Sequence, residues 1–256
     1  MPAEPDLTDD AALSGRLRLL QPRRGHRFGH DAILLAAATP AGDGDRAVDL
    51  GAGVGAAGLA LAQRVTGVRV TLLDADRGLA ALAAANAERN RLADRVDTVV
   101  LDVAADPAEF TRAGLAGASC DAVLMNPPFN DPERSPPSPD ARRRDAHALP
   151  AAALSAWTAS AARLLRPGGT VTVIFRADRL GELLDALRPD FGAIALKPVH
   201  PRRDADAIRV LVGGIKGSGA PLAIRPGLVL AADDGTPTAE AQAALRHGAA
   251  LGLFGE

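Results

Sequence analysis

The residues best placed for chemistry in this 256-residue chain are four in a row, Asn126-Pro127-Pro128-Phe129. They follow an apolar run, residues 121–125, that reads as a buried strand. A residue before proline is pushed into extended backbone, and each proline fixes its own φ near about −65°. The side-chain oxygen of Asn126 and the carbonyl of Pro127 are thereby set in direction. Two fixed acceptors suit a flat –NH2 group: they take both hydrogens, draw the nitrogen out of conjugation and free its lone pair for attack. Phe129 adds a face for stacking on a planar ring. On these four residues alone, a rigid strand-ending turn with a core aromatic competes with that reading.

A second constellation precedes it. Asp49-Leu50-Gly51-Ala52-Gly53-Val54-Gly55 reads as the end of a strand, a bare-backbone loop and the start of a helix. Glycines let a ligand lie against the main chain, and a helix N-terminus offers open N–H groups and positive partial charge to an anion. The same run fits the relaxed dinucleotide fingerprint Gly51-x-Gly53-x-x-Ala56, with Asp74 about 20 residues on. The neighbouring charges separate the two ligands. S-adenosylmethionine (SAM) carries an ammonium, a ribose diol and an adenine amine, all donors that want carboxylates. Asp49, Asp74 and Asp102 stand at three successive strand ends, where they would meet the ammonium, the ribose hydroxyls and the adenine amine respectively. A pyrophosphate would be repelled by Asp49. Each acid alone is equally well read as a helix cap; together with the Asn126 turn they favour SAM over NAD.

The elements that must hold these residues alternate along the chain. Strands are expected at 46–50, 68–73, 96–101, 121–125 and 170–175, with helices at 56–65, 77–91, 154–165 and 180–187. Strands and helices taking turns imply a parallel, doubly wound α/β sheet with right-handed crossovers. The apolar runs 193–196 and 207–212 complete it as an antiparallel edge pair, and a C-terminal helix starting at Thr236-Pro237 packs back. Upstream, residues 16–20 alternate like a strand, and 21–29 carry turn residues at both ends, which together predict a short hairpin before a helix at 32–38. The acidic start is expected to be a mobile tail through residue 12, so the division is a disordered tail at 1–15 and a single domain at 16–256.

Composition bounds the partners. Hydrophobic residues make up 47% of the chain, enough for a sizeable core, and the net charge is −2, so a nucleic-acid contact must come from a local patch. The one cysteine, Cys120, excludes intramolecular disulfides and multi-cysteine zinc sites, and no metal is expected. No apolar run approaches a membrane span, and a cytoplasmic location fits. Tyr is absent and only six Phe and one Trp are present, which sharpens the interest of Phe129; Trp157 reads as core. Arg23, Arg24 and Arg27 form the better basic patch for phosphate contact. Arg142, Arg143 and Arg144 follow a proline-rich loop suited to a lid, but neighbouring acids favour a solvated helix start.

The order of these motifs resembles a known family. An Asn-Pro-Pro-aromatic turn is similar to that of SAM-dependent methyltransferases acting on exocyclic or amide nitrogens. Gly25-His26-Arg27-Phe28-Gly29-His30-Asp31-Ala32-Ile33-Leu34-Leu35, the glycine run, Leu72-Leu73-Asp74-Ala75-Asp76 and the Asn126 turn together resemble the bacterial tRNA adenine-N6 methyltransferases that modify the adenosine beside the anticodon. The resemblance spans about residues 16–256, with His30 where that family usually has threonine. It implies a Rossmann-like, seven-stranded class I methyltransferase sheet. It further implies that Phe28, Gly29, His30 and Asp31 lie over the SAM pocket, that Asp49, Gly51, Gly53 and Asp74 hold the cofactor, to which the glycine run itself adds Gly55, and that Asn126, Pro127, Pro128 and Phe129 hold an adenine of RNA, chiefly tRNA. A methyltransferase of protein glutamine and a non-catalytic SAM-binding protein are the alternatives. The former usually carries a helical domain ahead of the SAM fold, whereas only about 45 residues precede the first core strand here.

Overall fold

The structure, a computed structural model, describes residues 6–24, 27–128 and 151–254. Five parallel strands form its centre: β3 (Arg46–Leu50), β4 (Arg69–Asp74), β5 (Val96–Val100), β6 (Cys120–Met125) and β7 (Leu165–Arg176). β8 (Phe191–His200) and β9 (Arg209–Lys216) complete seven strands in the order β8-β9-β7-β6-β3-β4-β5, β9 running antiparallel to both its neighbours. Two short strands, β10 (Ala223–Ile224) and β11 (Leu228–Val229), pair with β8 at the edge. The strand order reverses at β3, which has β4 on one side and β6 on the other. In such sheets the crevice at the carboxyl ends of these strands is where ligands bind. The expected doubly wound sheet and its antiparallel edge pair are therefore present.

Strand alternation divides the core between the two faces. Ala47, Val70, Leu72, Ala122 and Leu124 point to one side, where α1 (His30–Ala38) and α2 (Ala56–Arg64) pack together with α3 (Arg77–Arg89). Val48, Leu50, Leu73, Val123 and Met125 point to the other, under α4 (Pro107–Arg112), α5 (Ala151–Leu164) and α6 (Leu180–Leu187). α2 comes close because Gly58 has no side chain: a Cβ there would run into Leu72, with Val70 Cγ1 at 3.0 Å. A C-terminal helix, α7 (Ala239–His247), starts two residues later than expected, because Thr238 supplies the cap, its hydroxyl accepting from Ala241 N–H. No described helix is long and apolar enough to cross a membrane.

The N-terminal expectation is corrected. Residues 7–12 are not a mobile tail but a strand, β1 (Leu7–Ala12), antiparallel to β2 (Leu17–Pro22). The hairpin turns at 13–16, before the alternating run and not after it. Its acids are held by basic side chains: Asp6 by Arg23, Asp9 by Arg18 and Arg89, Asp10 by Arg27. Composition marked the segment as acidic and small; arginines of β2, of the stretch after it and of α3 supply the counter-charge that composition alone does not show.

Candidate active site

The glycine run forms a tight loop at the carboxyl end of β3. Gly51, Gly53 and Gly55 all take positive φ, at 70°, 57° and 86°, a region that side-chain-bearing residues rarely enter. Ala52 N–H donates to Leu73 O at 2.9 Å, and Gly55 N–H to Ala52 O at 2.8 Å, closing the turn. A side chain at Gly53 would meet nothing within 4 Å, so the loop opens onto free space there. At Gly51 a side chain would collide with the ring of Trp157 from α5, which covers that glycine. The N-cap residue of α2, Gly55, has no side chain, and Asp49 takes the Gly58 N–H from beneath, which leaves the N–H groups of Ala56 and Ala57 for an anion. Bare backbone, open N–H donors and an adjacent carboxylate fit the polar handles of SAM.

The three acids behave differently. Asp74, at the end of β4, accepts from Gly53 N–H at 2.7 Å through Oδ2 and from Asp76 N–H at 2.9 Å through Oδ1. A carboxylate has about four acceptor positions, so two are free for a diol. Asp102 is exposed and accepts from Ala104 N–H at 2.7 Å. Asp49 departs from expectation. It shares the face of Ala47, so it points under α2, is 2% exposed and accepts from Gly58 N–H at 2.8 Å. Burial, with Asp74 nearby, pushes its carboxyl from an ordinary 3.8 up to about 7, against the lowering effect of the Gly58 bond. Asp49 clips β3 to α2 from beneath the loop and is not an exposed ammonium acceptor.

Asn126 follows β6 directly, and β6 is registered with β3 so that Met125 lies opposite Leu50. The Asn126 turn therefore sits beside the glycine loop. Its Oδ1 is buried and has no hydrogen-bond partner among the described residues. Pro127 is buried and Pro128 exposed. Phe129 and Arg142, Arg143 and Arg144 lie outside the described residues.

Phe28, Gly29, His30 and Asp31 lead into α1. Phe28 N–H donates to Gln21 Oε1 at 3.0 Å, Gly29 is the residue before the helix, His30 is exposed, and Asp31 accepts from Arg209 Nε of β9 at 2.8 Å. Of the basic patch, Arg23 is tied to Asp6 at 2.7 Å, and Arg27 to Asp10 and Thr8 at 2.8 and 2.9 Å. Arg24 is exposed and has no partner among the described residues. Among the described residues no group of three or more His, Cys, Asp or Glu could hold a metal. Trp157 over the loop and the buried amide Asn86, described below, are site residues that the sequence reading did not find. Trp157 gave one usable signal: as the only Trp it had to pack against something, and a glycine is what admits a ring that closely.

The curated relatives include a tRNA1(Val) (adenine(37)-N6)-methyltransferase of Porphyromonas gingivalis, 32% identical over 161 residues, 61% of each chain. Another protein of that name, from Serratia proteamaculans, is 28% identical over 189 residues, 73% of this chain and 69% of that one. This chain thus spans about three fifths of the length of the first of these relatives. Among solved structures, a predicted O-methyltransferase of Agrobacterium tumefaciens is 28% identical with a TM-score of 0.74, covering 87% of this chain and 98% of that one. The family model described as the methyltransferase small domain matches residues 28–196, a span that takes in Phe28, the glycine loop, Asp74 and the Asn126 turn, and the chain belongs to that family.

Proposed function

We propose that this chain is a SAM-dependent N-methyltransferase whose acceptor is the exocyclic amine of an adenine in tRNA, acting in the cytoplasm. The observation that carries the reading is the buried, unpartnered Oδ1 of Asn126 beside the glycine loop. A buried acceptor without a donor costs about 1–3 kcal/mol, and a substrate N–H removes that cost. The same atom speaks against a hydroxyl acceptor. An alcohol gives up its only proton on methylation and wants a base, which an amide oxygen is not. An amine keeps its proton until after attack and gains positive charge as the bond forms, so its hydrogen bond to Asn126 strengthens in the transition state.

When bound, SAM supplies an electrophilic methyl group that leaves sulfur for nitrogen. The protein's share is position and electrostatics. Asp74 offers its remaining acceptor positions to a diol while Gly53 N–H fixes the carboxylate. The N–H groups of Ala56 and Ala57, at the start of α2, are offered to an anion. Asn126 and the Pro127 carbonyl take the amine hydrogens, and Phe129 stacks on a base that has left its own stack, worth about 1–3 kcal/mol. The names of the curated relatives support adenine in tRNA as that base.

The test incubates the protein with labelled SAM and, separately, RNA lacking its modifications, DNA and a protein extract, then identifies the product by mass spectrometry. N6-methyladenosine in tRNA is expected. Label in protein glutamine with none in RNA overturns the adenine reading in favour of a protein N-methyltransferase.

A further inference from the structure

One polar side chain of the core belongs to none of the groups above. Asn86, in the last turn of α3, is 0% exposed. Its Oδ1 accepts from Leu20 N–H at 2.8 Å, and its Nδ2 donates to Leu20 O at 3.0 Å and to Val54 O at 3.0 Å. Both amide hydrogens are therefore used, one on the hairpin and one on the glycine loop. Asn90, one turn on, repeats the hairpin half and not the loop half: Arg18 N–H donates to its Oδ1 at 2.9 Å, and its Nδ2 donates to Arg18 O and to Asn86 O, each at 2.7 Å. The fit is geometric. Four residues of helix rise about 6 Å and two of strand about 6.7 Å, so amides at i and i+4 can pair with alternate peptides of β2. They stand in for the neighbouring strand that the two-stranded hairpin lacks.

We infer that Asn86 is a positioning residue which couples the N-terminal hairpin to the cofactor loop. The peptide unit between Val54 and Gly55 is planar, with its C=O and N–H pointing opposite ways. Asn86 holds the C=O end, and the N–H end closes the turn on Ala52 O, immediately before the open N–H groups of α2. Fixing that plane fixes the loop that a ligand must approach. The hairpin shares the task at its next residue, since the buried Gln21 receives Phe28 N–H at the entry to α1. β2 therefore ties down two walls of one site, through Leu20 and Gln21. This inference rests on the reading of the loop as a SAM site.

Asn90→Ala is the matched control, because it removes the equivalent hairpin tie, and with it a bond to Asn86 O within α3, without touching the loop. Calorimetry with SAM on the full chain is expected to show Asn86→Ala binding about tenfold or more weakly, the worth of one lost buried hydrogen bond, and Asn90→Ala within about twofold of wild type. Asn86→Asp, which keeps the acceptor and loses both donors, should match Asn86→Ala. At saturating SAM, kcat should be retained while KM for SAM rises. Equal effects of Asn86→Ala and Asn90→Ala on SAM affinity, or none from either, overturn the inference and leave Asn86 as a purely structural tie. The wild-type protein supplies a test free of folding defects. By reciprocity of coupling, SAM should slow hydrogen exchange at Leu20 N–H more than at Arg18 N–H, and no difference overturns the inference. Wild-type protein that binds no SAM at all overturns the cofactor reading itself, and this inference with it; SAM binding without those differences overturns this inference alone.

Discussion

The two halves of the site are built on opposite plans. On the proposed cofactor side each polar side chain is anchored by internal bonds while acceptor positions of Asp74 stay free: Asp74 holds Gly53 and Asp76, Asp49 holds Gly58, and Asn86 holds Val54. On the acceptor side, a few ångströms along the sheet edge, Asn126 keeps a buried oxygen with no partner among the described residues. The difference assigns the two sides separate tasks. Internal bonds hold a binding surface rigid before the ligand arrives, which lowers the ordering cost of binding. An unsatisfied acceptor instead keeps its interaction for the substrate, where it can grow as charge develops.

The largest test of that contrast is Asn126→Ala. Turnover should fall about 100-fold or more, by analogy with deletion of one oxyanion-hole group, while SAM affinity is unchanged. Thermal stability should not drop, because the side chain removed carries an unpaired buried oxygen; denaturation scans beside single-turnover assays check both halves. Next is Gly51→Ala, which combines a positive φ with a collision against Trp157 and should cost about 2–4 kcal/mol of stability. Adding Trp157→Ala should recover only the part due to the collision, measured as a double-mutant cycle in urea. Asp74→Ala should weaken SAM binding by about 1–3 kcal/mol with kcat less affected, since it loosens Gly53 as well as removing a ligand for the diol.

Asp49 supplies a test by pH. Its carboxyl is raised in the folded protein to about 7, so the folded state holds the proton more tightly than the unfolded chain does. Its contribution to stability is greatest below about pH 4, falls as pH rises towards 7 and is flat above that. Asp49→Asn should flatten the stability profile between about pH 4 and 7, by an amount on the order of 4 kcal/mol, as read from urea midpoints across that range. The smallest effect concerns the arginines. Arg24→Ala should raise KM for tRNA by a few-fold and reduce the slope of affinity against salt by roughly one, whereas Arg23→Ala, already neutralised by Asp6, should do less.

What could be read in advance was local. The prolines after Asn126 restrict their own backbone, the glycines of residues 51–55 mark positive φ, and alternating apolar runs mark the strands of a doubly wound sheet. Each of these effects acts over a few residues, and the positive φ of the glycines and the doubly wound strands reappear in the fold. The hairpin was half legible: the alternation of β2 was plain, but its partner β1 reads as a polar tail until its carboxylates meet arginines.

Facing and long-range pairing belonged to the tertiary structure. Asp49 ends a strand as expected, yet the pleat sends its side chain under α2, a choice fixed only when the helix docks on that face. Asp9 meets Arg89 across 80 residues, and Leu20 meets Asn86 across 66. Nothing in the local pattern distinguishes an asparagine that will span a helix, a hairpin and a ligand loop from one that caps a turn. The sequence by itself determined which backbone could bend and which residues carried acceptors. The packing of α3 against β2 and the loop decided which of those acceptors were satisfied, because hydrogen-bond partners distant in sequence become neighbours only when the apolar faces between them are buried.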